Sequence, residues 1–190
     1  MSNLTILGDT SGSVVLQAPA VSGSTTLTLP ATSGTVLTTA STGTILQVVQ
    51  ATLNTIVSTA STTYQASGLI GTITPKFSTS KILVNIAGGD MYSGSSGIGV
   101  DIKLYRQINS GGYSSLIGST NQDYGVFGGS SGILSPHSFT YLDSPATTSS
   151  VNYQPYFRVN PSGTAGTINF NVGFFGNPGM VTITLMEVAG

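Results

Sequence analysis

From residue 98 the chain alternates. Ile98, Val100, Ile102 and Leu104 fall on one face, and Gly99, Asp101, Lys103 and Tyr105 fall on the other. A period of two is the pattern of a half-buried β-strand. Lys81–Ile86 repeats it with Ile82, Val84 and Ile86 on one side. Val151–Val159 and Val181–Val188 read as strands too, the latter with Val181, Ile183 and Leu185 aligned. In Thr167–Phe175 the pattern places Ile168, Phe170, Val172 and Phe174 on a shared face. Ile45–Val57 reads as one long or two short strands, Leu69–Thr74 as a short strand closed by Pro75, and His137–Leu142 as a further strand. Asn109–Gly112 has hairpin-turn chemistry and leads into Tyr113–Gly118. No stretch holds a 3.6-residue period over a helix length. About eight to ten strands with turns every ~8–12 residues predict an all-β sandwich or jelly roll over residues 45–190. A closed barrel competes with it, and periodicity does not separate the two.

Residues 1–44 follow another rule. Gly12, Gly23 and Gly34 begin successive units, and Leu16/Leu27, Pro19/Pro30 and Ala20/Ala31 keep the same spacing. An 11-residue period can specify a right-handed helical supercoil. Here each unit carries Pro, Gly and several Thr or Ser, which oppose a helix interior. The units therefore read as short β repeats in an extended N-terminal arm. Such repeats bury their apolar residues on neighbours or on other chains. Val14, Leu16, Leu27, Leu29 and Val36 are the expected contact residues of the arm, against other chains.

Composition sharpens this picture. Of 190 residues, 27 are Ser and 27 are Thr, while Lys plus Arg number 5 and Asp plus Glu number 6. Hydroxyls, amides and glycine must cover the surface, which leaves it poorly protected against association. A subunit of a large assembly fits that surface better than a free monomer. Five cationic side chains neutralise too few phosphates for nucleic-acid binding. There is no Cys, hence no disulfide framework or thiolate site. No apolar run approaches the ~18 residues of a membrane span, and the opening MSNLTILGDTSGS lacks the basic and apolar regions of a secretory signal.

Three phrases carry a family resemblance: Gly23-Ser24-Thr25-Thr26-Leu27-Thr28-Leu29-Pro30-Ala31-Thr32-Ser33-Gly34-Thr35-Val36, then Ile73-Thr74-Pro75-Lys76-Phe77-Ser78-Thr79-Ser80-Lys81-Ile82-Leu83-Val84, and Ile183-Thr184-Leu185-Met186-Glu187-Val188. The first resembles a phrase of tailed-bacteriophage virion surface proteins, among them head decoration (cement) and tail-fibre proteins. The other two are similar to strands of phage jelly-roll proteins. The resemblance implies a trimeric jelly roll of the tumour-necrosis-factor type behind a trimerising or capsid-binding arm. It implies no catalytic residues and no cofactor. The expected function is a non-enzymatic homotrimer on the outer capsid surface, bound to the major capsid protein. The alternative is a receptor-binding tail fibre or spike that recognises host glycans.

Candidate chemistry is sparse. His137 is the single imidazole, and a catalytic triad would need it beside a Ser and Asp143 or Asp123. The plainer expectation is a turn or strand-end histidine. Asp90 and Asp101 would have to meet to hold calcium, and they lack the spacing of a known calcium loop, so no metal site is expected. Two Gly-rich stretches, Gly94–Gly99 and Gly128–Gly132, lack the Lys-Ser/Thr and helix of a phosphate loop. Tyr92, Tyr113 and Tyr124 lie in or beside such Gly-rich loops, where aromatic faces suit sugar rings. They are the expected glycan-contact residues of the alternative function.

Overall fold

A computed structural model describes residues 3–17, 21, 26, 42–94, 96–117, 124–127, 133–161, 166–173 and 176–190. The chain divides into two compact units, residues 1–36 and 37–190.

In the first unit β1 (Asn3–Leu7) and β2 (Ser13–Gln17) form an antiparallel hairpin. Gly12, at φ 81°, supplies a left-handed residue in its turn, and Gly8 N–H donates to the Gly12 carbonyl at 3.0 Å.

The second unit is built from eight antiparallel ribbons among the described residues. In chain order they are β3 (Ile45–Leu53) with β4 (Val57–Thr59); β5 (Gln65–Ala66) with β6 (Gly71–Ile73); β7 (Lys81–Gly88) with β8 (Asp90–Ser93); β9 (Gly99–Ile108); β10 (Ser114–Ser115) with β11 (Tyr124–Phe127); β12 (Ile133–Pro136) with β13 (Phe139–Asp143); β14 (Val151–Val159); and β15 (Ile168–Val172) with β16 (Val181–Val188). Counted as ribbons, the first sheet runs first–eighth–third–sixth and the second runs second–seventh–fourth–fifth. First lies beside eighth, second beside seventh, third beside sixth and fourth beside fifth. That nesting is a jelly roll, and it decides against the closed barrel.

The two sheets share one core. Ile82, Val84, Ile86, Phe170, Val181, Ile183 and Leu185 of the first sheet meet Val100, Ile102, Leu104, Val151, Tyr153 and Phe157 of the second. The Phe157 and Phe170 rings touch across the layers at 5.5 Å. β16 alternates buried and half-buried along its whole length, as its sequence predicts. Pro155, in a central strand, sits opposite the gap between β5 and β6, where the seventh ribbon's ladder is already broken. A residue without an N–H is tolerated there.

Polar braces tie the layers at fixed points. Arg106 Nη1 of β9 donates to both Asp143 oxygens of β13 at 2.9 Å, and the Tyr153 hydroxyl donates to Asp143 Oδ2 at 2.7 Å. Burial, then the hydrogen bond to Asp143, pushes the Tyr153 phenol far above its ordinary range. Glu187, fully buried on β16, accepts from Gln47 Nε2 at 2.5 Å and from the Lys76 N–H at 2.7 Å. Burial alone would raise this carboxyl, but the Gln47 amide, Ser80 and the backbone N–H groups hold it below the usual range. The connection from β6 to β7 is thereby fixed to the C-terminal end of β16.

All four ribbons of the first sheet break at one level. Gly88 and Gly89, at φ 86° and 67°, separate β7 from β8. A Cβ at Gly88 would lie 2.5 Å from the Met180 carbonyl oxygen, and one at Gly89 would lie 2.7 Å from Asn171 Oδ1. Asn171 is fully buried at φ 63°, and the register of β15 shifts between Phe170 and Val172. Its Nδ2 is shared among the carbonyls of Leu53, Thr55 and Gly179 at 2.9, 3.1 and 3.2 Å. Its own carbonyl accepts the Gly179 N–H at 3.0 Å.

This bulge corrects one expectation. Ile168 and Phe170 belong to the core cluster, but Val172 does not follow them onto that face. The extra residue of the bulge breaks the period of two. Phe174 lies outside the described residues. The Gly43 N–H donates to the Ala189 carbonyl at 2.8 Å and the Ala189 N–H to Thr44 at 2.9 Å, so pairing with the jelly roll begins ahead of Ile45.

His137, between β12 and β13, is 8% exposed and packs on Phe170 at 5.0 Å. It stands at a strand end, and burial lowers its pKa to about 4.

Two predictions follow from this packing. Asn171→Gly keeps the left-handed backbone but strips the amide from three part-buried carbonyls. Denaturant unfolding should show a loss of roughly 2–4 kcal/mol; a variant as stable as the parent would remove Asn171 from the centre of the break. Acid should weaken the fold in two stages. Below an ordinary value of 6.5, the unfolded chain protonates His137 while the folded chain refuses the proton down to about 4. Stability should therefore fall by roughly 3 kcal/mol across that window. Glu187, held low when folded, adds a further loss as pH drops below 4.5. His137→Phe should flatten the upper stage and leave the lower one, as read by melting temperature against pH.

Candidate functional site

The hairpin register places Leu4 opposite Leu16 and Ile6 opposite Val14. Cross-strand partners and alternate residues share a face, so these four aliphatic side chains form one apolar surface. Their exposures are 59%, 48%, 54% and 62%. The other face mixes Thr5, Leu7, Ser13, Val15 and Gln17. An isolated two-stranded hairpin is marginal in water, and full burial of each aliphatic is worth roughly 1.5–3 kcal/mol. Val14 and Leu16 share one face of β2. Leu4 and Ile6 join them, and counting the repeat from Gly12 missed both. Leu27, Leu29 and Val36 lie outside the described residues.

A second feature is the outer face of the second sheet. Tyr105 and Tyr156 stack with centroids 4.1 Å apart; Tyr113 tilts onto Tyr156 at 5.7 Å and Tyr64 onto Tyr105 at 6.2 Å. Arg158 and Lys103 lie 4.5 and 5.2 Å from the Tyr64 ring centre. Asp101 accepts from Arg158 Nε at 2.9 Å and from Asn160 Nδ2 at 2.8 Å. Asp101 and Lys103 point away from the core, as their alternation predicts, yet both are buried beneath this layer of rings and charges. Burial raises the Tyr113 phenol, with Asn152 pulling the other way. Burial raises Tyr156 as well, and its neighbours Tyr113 and Tyr105 add to the shift. Period-two alternation assigns these residues a direction but does not reveal the covering layer.

The third feature is a cavity of about 330 Å³ on the outer face of the first sheet, lined by Ile56, Tyr92, Leu134, Asn169, Val172 and Gly176. Tyr92 is a strand residue of β8, between the buried Met91 and Ser93. It lies on the opposite outer face of the sandwich from Tyr113, so the structure does not bring these two glycan candidates together. Tyr124 opens β11 opposite Ile102 on β9.

Other candidate chemistry is not assembled. Neither ring nitrogen of His137 has a hydrogen-bond partner among the described residues. Asp143, one of the two carboxylates a triad would need, is engaged by Arg106 and Tyr153. Asp123 lies outside the described residues. Asp90, on the first sheet, does not meet Asp101, whose carboxylate serves Arg158 and Asn160. Among the described residues no group of three His, Asp or Glu could hold a metal ion. No described helix is long and apolar enough to cross a membrane.

No family model matches the chain, and no curated protein matches its sequence. Among solved structures it is similar to the infectious bursal disease virus VP2 subviral particle, at 14% identity and a TM-score of 0.34, over 75% of this chain and 40% of that one. It is also similar to the structure of infectious bursal disease virus Gx strain, at 14% identity and a TM-score of 0.37, over 94% and 43%. The chain spans about two fifths of the length of these viral proteins. At those values neither likeness assigns it a role.

Proposed function

We propose that this chain is a non-enzymatic structural protein of a tailed-phage virion. In this reading it is a decoration or cement subunit, seated as a homotrimer on the outer capsid surface and bound to the major capsid protein. The uncovered face of Leu4, Ile6, Val14 and Leu16 carries the reading. A hairpin that exposes four aliphatics on one face gains its stability from a partner. The resemblance of the three sequence phrases to phage surface proteins supports the same role. So does a surface with few charges. The tyrosine layer on the second sheet is suited to contact between sister subunits, because Tyr combines large apolar area with a polar tip.

The alternative is a receptor-binding fibre or spike on the tail, and the Tyr92 cavity favours it. Antibody labelling of particles separates the two: label at regular positions over the head supports the cement role, and label confined to the tail overturns it.

The arm makes a sharper prediction. Ile6→Asp combined with Val14→Asp places two carboxylates on the apolar face. Cosedimentation with heads stripped of the protein should weaken more than roughly tenfold, while unfolding of the jelly roll stays as in the parent. Undiminished binding by this double variant would remove the hairpin from the attachment surface.

A further inference from the structure

We infer that the Tyr92 cavity binds the ring of a neutral sugar. The inference holds whether the protein sits on head or tail, because it rests on the cavity alone.

Register builds the site. Leu134 pairs with Tyr92, Tyr92 with Asn169, and Asn169 with Ser58, so four side chains cross the first sheet in one row. The Ser58 hydroxyl donates to Asn169 Oδ1 at 2.5 Å. That bond fixes the amide and leaves its NH2 group without an acceptor among the described residues. The Tyr92 hydroxyl also makes no hydrogen bond among them. Two oriented polar groups, both within reach of solvent, thus stand at a concave surface with hydrogen-bonding capacity open to a ligand.

The walls state what the occupant must be. Ile56, Leu134 and Val172 are apolar, and Val172 reaches the cavity because the Asn171 bulge re-aims it away from the core face. Among the described residues no charged side chain lines the cavity, so an ionised ligand would lose its hydration without a counter-charge from them. A neutral sugar satisfies every wall. The C–H face of its ring lies on the Tyr92 ring and the aliphatics, and its hydroxyls accept from the Asn169 NH2 and pair with the Tyr92 hydroxyl. A volume of about 330 Å³ is at the small end for ligand sites, which suits one terminal ring rather than a long chain.

Saturation-transfer NMR on the full chain tests this with methyl glycosides of glucose, galactose, mannose and N-acetylglucosamine. Sialic acid and glucose 6-phosphate serve as charged probes, and cyclohexanol as an apolar one. At least one neutral glycoside should receive saturation, strongest on the C–H protons of one ring face. Tyr92→Ala should abolish it. Asn169→Ala should weaken binding roughly tenfold, and Tyr92→Phe should keep the stacking contact and bind measurably. Each variant is checked for a parent-like unfolding transition; if Tyr92→Ala fails that check, Tyr92→Phe and Asn169→Ala decide. Transfer to none of the neutral glycosides overturns the inference. So does equal binding of the charged probes, binding of cyclohexanol without any sugar, or sugar binding that all folded variants retain.

Discussion

The first sheet is interrupted in all four of its ribbons at one level, and the polar groups that the interruption exposes converge on Asn171. Leu53 and Thr55 come from the first ribbon and Gly179 from the excursion between β15 and β16; all three offer carbonyls to one side-chain amide. A carbonyl shielded from water and left without a donor costs more than an average hydrogen bond contributes, and these three are part-buried. The break therefore exists only because Asn171 fills it, and Asn171 can do so only from a left-handed backbone that Asn tolerates better than most residues. Gly88 and Gly89 complete the arrangement by bringing the third ribbon close against Asn171 and Met180. The same bulge that satisfies these carbonyls turns Val172 outward and so shapes the Tyr92 cavity.

Charge is used inside the fold rather than spread over it. Arg106 and Asp143 brace the two sheets, Arg158 and Asp101 brace the outer face, and Glu187 anchors the β6–β7 connection. Those five side chains belong to a total of eleven acidic and basic residues (5 + 6). Few are left to repel neighbouring molecules. The braces are also partly buried, where losing one partner strands the other charge.

Much of this fold is legible in the sequence, and the reasons are local. Val151–Val159 and Val181–Val188 are strands with the bounds their alternation implies, because each buries one face against the same core. β8, β11 and β12 escape detection because they are four residues long and their order comes from pairing with neighbours. Asn171 is invisible in advance: Asn-Val-Gly has no marker that distinguishes a bulge from continued alternation. Tyr92 stands out as an aromatic beside glycines. Its partners Asn169 and Leu134 do not, since only the register brings them to its sides. The same holds for Tyr105 and Tyr64, which meet only once the sheet has formed.

The placement of β16 has a consequence for how the domain is made. It lies between β3 and β7, which have no ladder with each other. Both are synthesised long before it. Until residues 181–188 are available, each presents an open hydrogen-bonding edge, and their Ile, Val and Leu residues lack the opposite side of their layer. Such non-local closure is slow, and unpaired edges invite pairing with another chain. During that interval few charges protect these edges. Synthesis rate and local crowding then bear on the yield of correctly rolled domains.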